Sequence, residues 1–328
     1  MKIRVYGVQA DERPYYREVQ KRYGFDLTFA SEILSADTVH LTKGFDGLII
    51  MTNCKISGDV ARALKQNGVR FLATRTAGTD HIDVAAVHEN GLSIANVPSY
   101  SPNAIAEHTV MTALNLLRHT KRSARKIDIG DFTMTGLKGR ELGSMTAGVW
   151  GVGQIGLATM RLLNGFGCRV LSYGTHPSEE AAKYSAPVTT DILLKESDII
   201  FLHCPLRAQN YHMIDRRAIT QMKDGAFLVN TARGGLVDAE AVLAALQEGK
   251  LAGYGFDVYE TEAAFLRKNI GLAAVEDQVF RALLDRDDVI YTAHVAFYTD
   301  TAIESMISVT LDNLKEYELT GTCRNEVH

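Results

Sequence analysis

Short apolar runs alternate along the chain with stretches whose apolar residues recur at helical spacing. Ile3–Val8, Gly47–Met51, Phe71–Thr74 and Ile94–Val97 make a first set of runs. Ala147–Trp150, Arg169–Tyr173, Ile199–His203, Ala226–Asn230, Gly253–Asp257 and Val289–Thr292 make a second. Runs this short and this continuously apolar read as strands covered on both faces, as in parallel sheets. Val60–Gln66, Ile155–Phe166, Arg217–Met222 and Ala239–Glu248 carry helical periodicity between them. Strand–helix alternation predicts an α/β fold of doubly wound parallel sheets. Neither a repeat of solenoid period nor a low-complexity segment breaks the pattern.

The two sets of strands predict two domains, since 328 residues exceed one ordinary core. The turn-forming Pro98-Ser-Tyr-Ser-Pro102 separates them, followed by a long helical segment, Asn103–Arg118. Thr299–Leu319 reads as a final amphipathic helix. The simplest arrangement is a discontinuous substrate domain, residues 1–101 plus 299–328, and a dinucleotide-binding domain, residues 102–298. Two Rossmann-like domains joined by two crossings predict a cleft that holds a ligand.

Composition narrows the partners. The net charge of −4 gives no basic field for nucleic acid or an anionic membrane. The one dense basic patch, His119-Thr-Lys-Arg-Ser-Ala-Arg-Lys126, reads as a solvated helix end. No apolar run approaches the roughly 20 residues of a membrane span. Met1-Lys-Ile-Arg-Val5 enters a strand at once, with no secretory leader pattern. Cys54, Cys168, Cys204 and Cys323 form no CxxC pair, so neither a zinc or other metal site nor a disulfide framework is expected. Cys168 and Cys204 read as small buried hydrophobes, and the cytoplasm is the expected location.

Candidate chemistry begins at Ala147-Gly-Val-Trp-Gly151-Val-Gly153-Gln154-Ile155-Gly156, an apolar strand running through G-x-G-x-x-G into a helix. Gly151 permits the turn, Gly153 the approach of a pyrophosphate and Gly156 close helix–strand packing. Free N–H groups at the helix start, from Gln154 and Ile155, suit phosphate. An acid that binds ribose is expected at the end of the next strand, but Tyr173-Gly174-Thr175-His176-Pro177 stands there. Gly174 removes a carboxylate that would repel a 2′-phosphate, and Thr175 or His176 could donate to one. No Arg clamps the position, so NAD(H) and NADP(H) both stay open.

Three later segments each end a strand and carry a polar residue. They are Asn230-Thr-Ala-Arg233, Asp257-Val-Tyr-Glu-Thr-Glu262 and Thr292-Ala-His294-Val-Ala-Phe297. Ligands of open parallel sheets sit beyond the carboxyl ends of the strands. Reducing a 2-oxo acid needs a hydride at carbon and a proton at oxygen. His294 is the natural proton donor, Glu262 a partner to orient it, and Arg233 a fork for the substrate carboxylate. Singly, each residue would read as a surface ion pair; together and in this order they read as a catalytic trio.

These segments resemble the D-isomer-specific 2-hydroxyacid dehydrogenases, most closely the D-lactate and D-2-hydroxyisocaproate dehydrogenase branch with its vancomycin-resistance members. The resemblance spans nearly the whole chain. It includes Arg75-Thr-Ala-Gly-Thr-Asp80-His-Ile-Asp83 and Asn96-Val-Pro-Ser-Tyr-Ser-Pro-Asn-Ala-Ile-Ala-Glu107. It implies that Arg233 binds the substrate, His294 is the acid/base and Glu262 its partner. It implies substrate contacts from Ala77, Gly78, Tyr100, Met51 and Phe297. The cofactor would be lined by His203, Pro205, Thr231, Ala232 and Asp257, with Asp257 also modulating the His–Glu pair. The D product and a homodimer built through the cofactor domain come from the resemblance alone.

Met51 stands where lactate-preferring relatives tend to carry a bulky aromatic. Either it is ordinary core packing, or its slimmer side chain admits a longer aliphatic or aromatic substrate. No Arg or Lys lies within Met51–Cys54, which disfavours a second carboxylate. Two other readings compete: a glyoxylate/hydroxypyruvate-type reductase, and a redox-sensing binding protein like the C-terminal-binding corepressors. Phe297-Tyr298 favours the lactate branch over the first. The absence of a basic tail and of a disordered extension argues against the second.

Overall fold

The computed structural model describes every residue except Pro177. The chain divides into two compact units, Met1–Ser101 with Tyr298–His328, and Pro102–Phe297. The sequence reading drew the return crossing one residue later, after Tyr298.

The first unit has five strands: β1 (Lys2–Val5), β2 (Asp26–Phe29), β3 (Gly47–Ile50), β4 (Phe71–Thr74) and β5 (Ser93–Ala95). All pair in parallel, in the order β2-β1-β3-β4-β5. Helices α1 (Arg13–Gln20), α2 (Gly58–Gln66) and α3 (Val84–Glu89) alternate with them, and the C-terminal helix Asp300–Thr320 joins this unit. Ser57 and Asp83 accept from the backbone N–H groups of Val60 and Ala86, capping α2 and α3. Leu48, Ile50, Leu72 and Ile94 build a core on one face. On the other, Phe71 stacks on Tyr317 of the C-terminal helix at 4.7 Å. β1 stops sooner than its apolar run suggests, because Gly7 turns the chain with φ +68°. β2 escaped sequence analysis because it is an edge strand alternating exposed and half-buried residues, without an apolar run.

The second unit has seven parallel strands in the order β12-β11-β10-β9-β6-β7-β8. They are β6 (Thr146–Trp150), β7 (Arg169–Tyr173), β8 (Ala186–Pro187), β9 (Ile199–Leu202), β10 (Ala226–Asn230), β11 (Leu251–Phe256) and β12 (Val289–Tyr291). Eight helices accompany them: α4 (Pro102–Leu117), α5 (Thr120–Asp128), α6 (Gln154–Gly165), α7 (Glu179–Ala182), α8 (Thr190–Glu196), α9 (Arg216–Gln221), α10 (Ala239–Gln247) and α11 (Gln278–Asp285). Successive residues of β9 feed opposite cores, Ile200 and Leu202 one, Ile199 and Phe201 the other. That alternation is why the strand reads as one continuous apolar run. Strand order reverses between β6 and β9, which places a switch point where the glycine loop leaves β6.

The basic patch is not simply solvated. It forms α5, and Lys121 Nζ donates to the carbonyls of Leu284, Arg286 and Val289 at 2.7, 2.6 and 3.0 Å, satisfying the end of α11. Cys168 is buried as expected, whereas Cys204 is half-exposed in the loop after β9.

Candidate active site

The glycine loop has the stereochemistry that its spacing implies. Gly151 adopts φ +118° and donates from its N–H to Tyr173 O at 2.8 Å. A β-carbon there would meet the His203 carbonyl carbon at 2.5 Å. A β-carbon on Gly156 would strike the Gly151 carbonyl, so α6 can approach β6 only through glycine. Gly153 is different: nothing lies within 4 Å of where its β-carbon would be. It sits at the N-cap of α6 and offers no side chain to satisfy the helix start. A closed turn, an open approach and an uncapped twelve-residue helix fit a bound pyrophosphate. The chain's own residues therefore suit a dinucleotide.

His203 lies beside this loop. Its Nε2 is 2.9 Å from Thr159 Oγ1, which itself donates to Ile155 O at 3.0 Å. Thr159 must then accept from His203, so Nε2 carries the hydrogen. Burial pushes the imidazole pKa down to about 3, and the ring stays neutral.

Arg233 follows β10, in a loop braced from beneath. Asn230, fully buried, accepts from Ala232 N at 3.0 Å and donates to Arg233 O at 2.8 Å. Arg233 Nη1 donates to Ala232 O at 2.8 Å. The next residue, Gly234, presses on the Tyr259–Glu260 backbone so closely that no β-carbon would fit. The Arg233 loop thus packs directly on the segment that carries Glu262.

Glu262 reaches two groups. Its Oε1 accepts from His294 Nδ1 at 2.6 Å, and its Oε2 from Tyr259 N at 2.8 Å. The carboxylate fixes the Nδ1–H tautomer and leaves Nε2 to face outward chemistry. His294 occupies the left-handed region at φ +53°, unusual for a residue with a β-carbon. Its N–H donates to Asp257 O and Thr292 O at 2.8 and 2.9 Å. Asp257, 1% exposed, holds the rest of the turn. It accepts from Thr292 Oγ1 at 2.6 Å, Val295 N at 2.9 Å and Ala296 N at 2.9 Å. His108 of α4 lies 2.8 Å from Thr292 Oγ1 through Nε2, and burial lowers its pKa against the opposing pull of Asp257. Phe297 sets its ring edge-on to His294, centroids 6.5 Å apart.

The resemblance implies that Asp257 lies near the cofactor and modulates the His–Glu pair; the geometry shows it as the clamp of the His294 turn. His108, Thr292, Asn230 and Thr159 were missed. His108, Thr292 and Thr159 are common polar residues with partners distant in sequence, so no spacing rule could have marked them, whereas Asn230 bonds within its own turn, to Ala232 and Arg233.

In the first unit, Met51 and Gly7 meet where strand order reverses between β1 and β3. Met51 is 2% exposed, and its Cβ and Cγ would each lie 3.3 Å from a β-carbon on Gly7. Ala77 and Gly78 follow β4. Their carbonyls are turned to Asn96 Nδ2, at 2.8 Å, and Thr76 Oγ1, at 2.6 Å. Tyr100 follows β5 and is half-buried.

Residues 110–296 match the family model described as D-isomer specific 2-hydroxyacid dehydrogenase, NAD binding domain. The chain is 39% identical over 327 residues to an aromatic 2-oxoacid reductase of Clostridium sporogenes, covering 99% of each. It is also 39% identical over 329 residues to a D-lactate dehydrogenase of Lactiplantibacillus plantarum, covering 100% of this chain and 99% of the relative. The solved structure of a D-lactate dehydrogenase with NAD+ from Lactobacillus jensenii superposes with a TM-score of 0.87 at 32% identity, covering 100% of both chains.

Proposed function

The chain belongs to the D-isomer-specific 2-hydroxyacid dehydrogenase family, and on that premise we propose how its own residues divide the work. It is an enzyme that reduces 2-oxo acids to D-2-hydroxy acids with a nicotinamide cofactor. When bound, the nicotinamide supplies the hydride. The protein must then place a proton on the carbonyl oxygen, hold the substrate carboxylate and keep the reacting centre oriented.

His294 delivers the proton from Nε2. The bond from its Nδ1 to Glu262 carries this assignment: it orients the ring and leaves Nε2 as the nitrogen that exchanges the proton. Arg233 pairs with the substrate carboxylate and polarises the carbonyl, a task suited to a planar fork. Ala77 and Gly78, through backbone N–H groups, and Tyr100 and Phe297, through side chains, complete the substrate contacts. Gly151, Gly153, Gln154, Ile155 and Gly156 hold the pyrophosphate. Gly174, Thr175 and His176 serve the adenosine end. His203, Pro205, Thr231, Ala232 and Asp257 line the remainder.

The preferred substrate carries an aliphatic or aromatic side chain longer than that of pyruvate. The similarity to an aromatic 2-oxoacid reductase supports this, whereas Met51, 2% exposed and packed at Gly7, fits the core-packing reading of that position. The cytoplasm is the proposed location, supported by four cysteines that are all free thiols. The functional unit is a homodimer, supported by the exposed Ile129, Phe132 and Met134 after α5.

The test is loss of absorbance at the reduced nicotinamide band with pyruvate, 2-oxoisocaproate and phenylpyruvate, best with the last two. His294→Ala and Arg233→Ala should each lower kcat/KM by roughly 10² to 10⁴-fold with circular dichroism unchanged. Glu262→Gln should fall at the lower end of that range. Turnover of none of the three acids, or wild-type rates in His294→Ala, would refute the assignment.

A further inference from the structure

The position expected to carry an acid is kept bare by its neighbour. Gly174 is outside the left-handed region, so its backbone alone would accept any residue. The obstacle is Val152, inside the glycine loop. A β-carbon on Gly174 would fall well within 3.0 Å of Val152 Cγ2, closer than side-chain carbons come, and 3.3 and 3.4 Å from Cγ1 and Cβ. Valine is stiff about χ1, and Val152 packs against the apolar cluster under α4 and α6, which resists its withdrawal.

We propose that Val152 is a cofactor-specificity residue: it holds position 174 to glycine and so bars a carboxylate from the adenosine ribose. This rests on the dinucleotide reading above. The surroundings fit weak discrimination between a 2′-hydroxyl and a 2′-phosphate. Thr175 Oγ1 and His176 Nδ1, 3.1 Å apart, are exposed donors or acceptors just beyond Gly174. Of Glu179 and Glu180, which follow, Glu179 is exposed and Glu180 is already paired with Arg161 and Lys183, at 2.9 and 2.5 Å. The specificity is therefore written in two contacting residues, and changing Gly174 alone cannot reverse it. An aspartate needs space that only a smaller residue at 152 provides.

The chain carries its own reporter. Trp150, the single tryptophan, precedes Val152 by two residues and packs edge-on against Tyr173 at 5.5 Å. Quenching of its emission by NADH and NADPH gives both dissociation constants without turnover. The wild type should bind the two within about tenfold of each other. Val152→Ala/Gly174→Asp should shift the ratio toward NADH by roughly tenfold or more, through carboxylate–phosphate repulsion. Gly174→Asp alone should lose thermal stability and gain less than half of that shift on a logarithmic scale.

A steric cycle guards against misfolding of the aspartate variant. Gly174→Ala should lower Tm, and adding Val152→Ala should recover part of the loss, so the two shifts are not additive. Additive shifts overturn the proposal. So does Gly174→Asp matching the double variant in both Tm and ratio, or a wild type that already favours NADH more than tenfold. Quenching by neither nucleotide would instead refute dinucleotide binding, while the Tm cycle still decides the Val152–Gly174 contact.

Discussion

At the scale of single residues, the site is built by hydrogen bonds that leave each ring one role. His294 and His203 are both imidazoles beyond strand ends, yet their surroundings divide them. His294 donates to a carboxylate through Nδ1, whereas His203 donates to a threonine hydroxyl and is kept neutral by burial. The second arrangement has a thermodynamic consequence. The folded His203 binds a proton only near pH 3, while the unfolded side chain binds one near 6.5. Between those values the unfolded state holds more protons, so stability falls as pH falls through that window. His203→Gln keeps the donor to Thr159 and removes the titration. Urea midpoints measured from pH 7 to 4 should therefore decline less steeply in His203→Gln than in the wild type; parallel declines would show that His203 does not contribute.

At the scale of elements, glycine decides how closely strands, loops and helices approach. Gly156 admits α6 to the carbonyl of Gly151, and Gly234 admits the Arg233 loop to the Tyr259–Glu260 backbone. In both places a methyl group would meet backbone, which cannot swing aside as a long side chain can. Gly156→Ala should cost about 1–3 kcal/mol, a typical overpacking penalty. It should also weaken NADH binding, because the start of α6 moves with it. Unchanged Tm and unchanged affinity together would show that the helix has slack that the geometry denies. The His294 turn is likewise a matter of elements. Asp257 at the end of β11 and Thr292 after β12 gather it, and His108 of α4 braces Thr292 from a third element. A histidine at φ +53° persists because these bonds over-determine its backbone.

At the scale of the whole molecule, one apolar stretch lies exposed among the described residues. Ile129, Phe132 and Met134 are 81, 81 and 87% exposed, in the segment that follows α5. Scattered exposed apolar residues are ordinary, but three large ones within six positions are not. The proposed homodimer would bury this stretch. Sedimentation should report about twice the 36.1 kDa chain mass, and Phe132→Glu/Met134→Glu should move the protein toward the monomer. A wild type that sediments as one chain at micromolar concentration would exclude the dimer.

The strand set and the glycine loop were legible in sequence because each is a local signal; Arg233, Glu262 and His294 were expected together because each follows its own strand. Parallel strands are apolar on both faces, a dinucleotide turn needs glycines at fixed offsets, and loops beyond strand ends gather at one edge of a sheet. Strand β2 was lost because edge strands need not be apolar, and α5 was read only as a solvated helix end because none of its residues is buried. Tertiary structure alone decided what steric contact and distant pairing control. It set the tautomer of His203 and the clamp of Asp257 on the His294 turn. It also set Val152, twenty-two positions earlier, against the place that a β-carbon on Gly174 would occupy. A sequence reports what each residue prefers; which atoms collide or share a proton depends on neighbours that only the folded chain brings within a few ångströms.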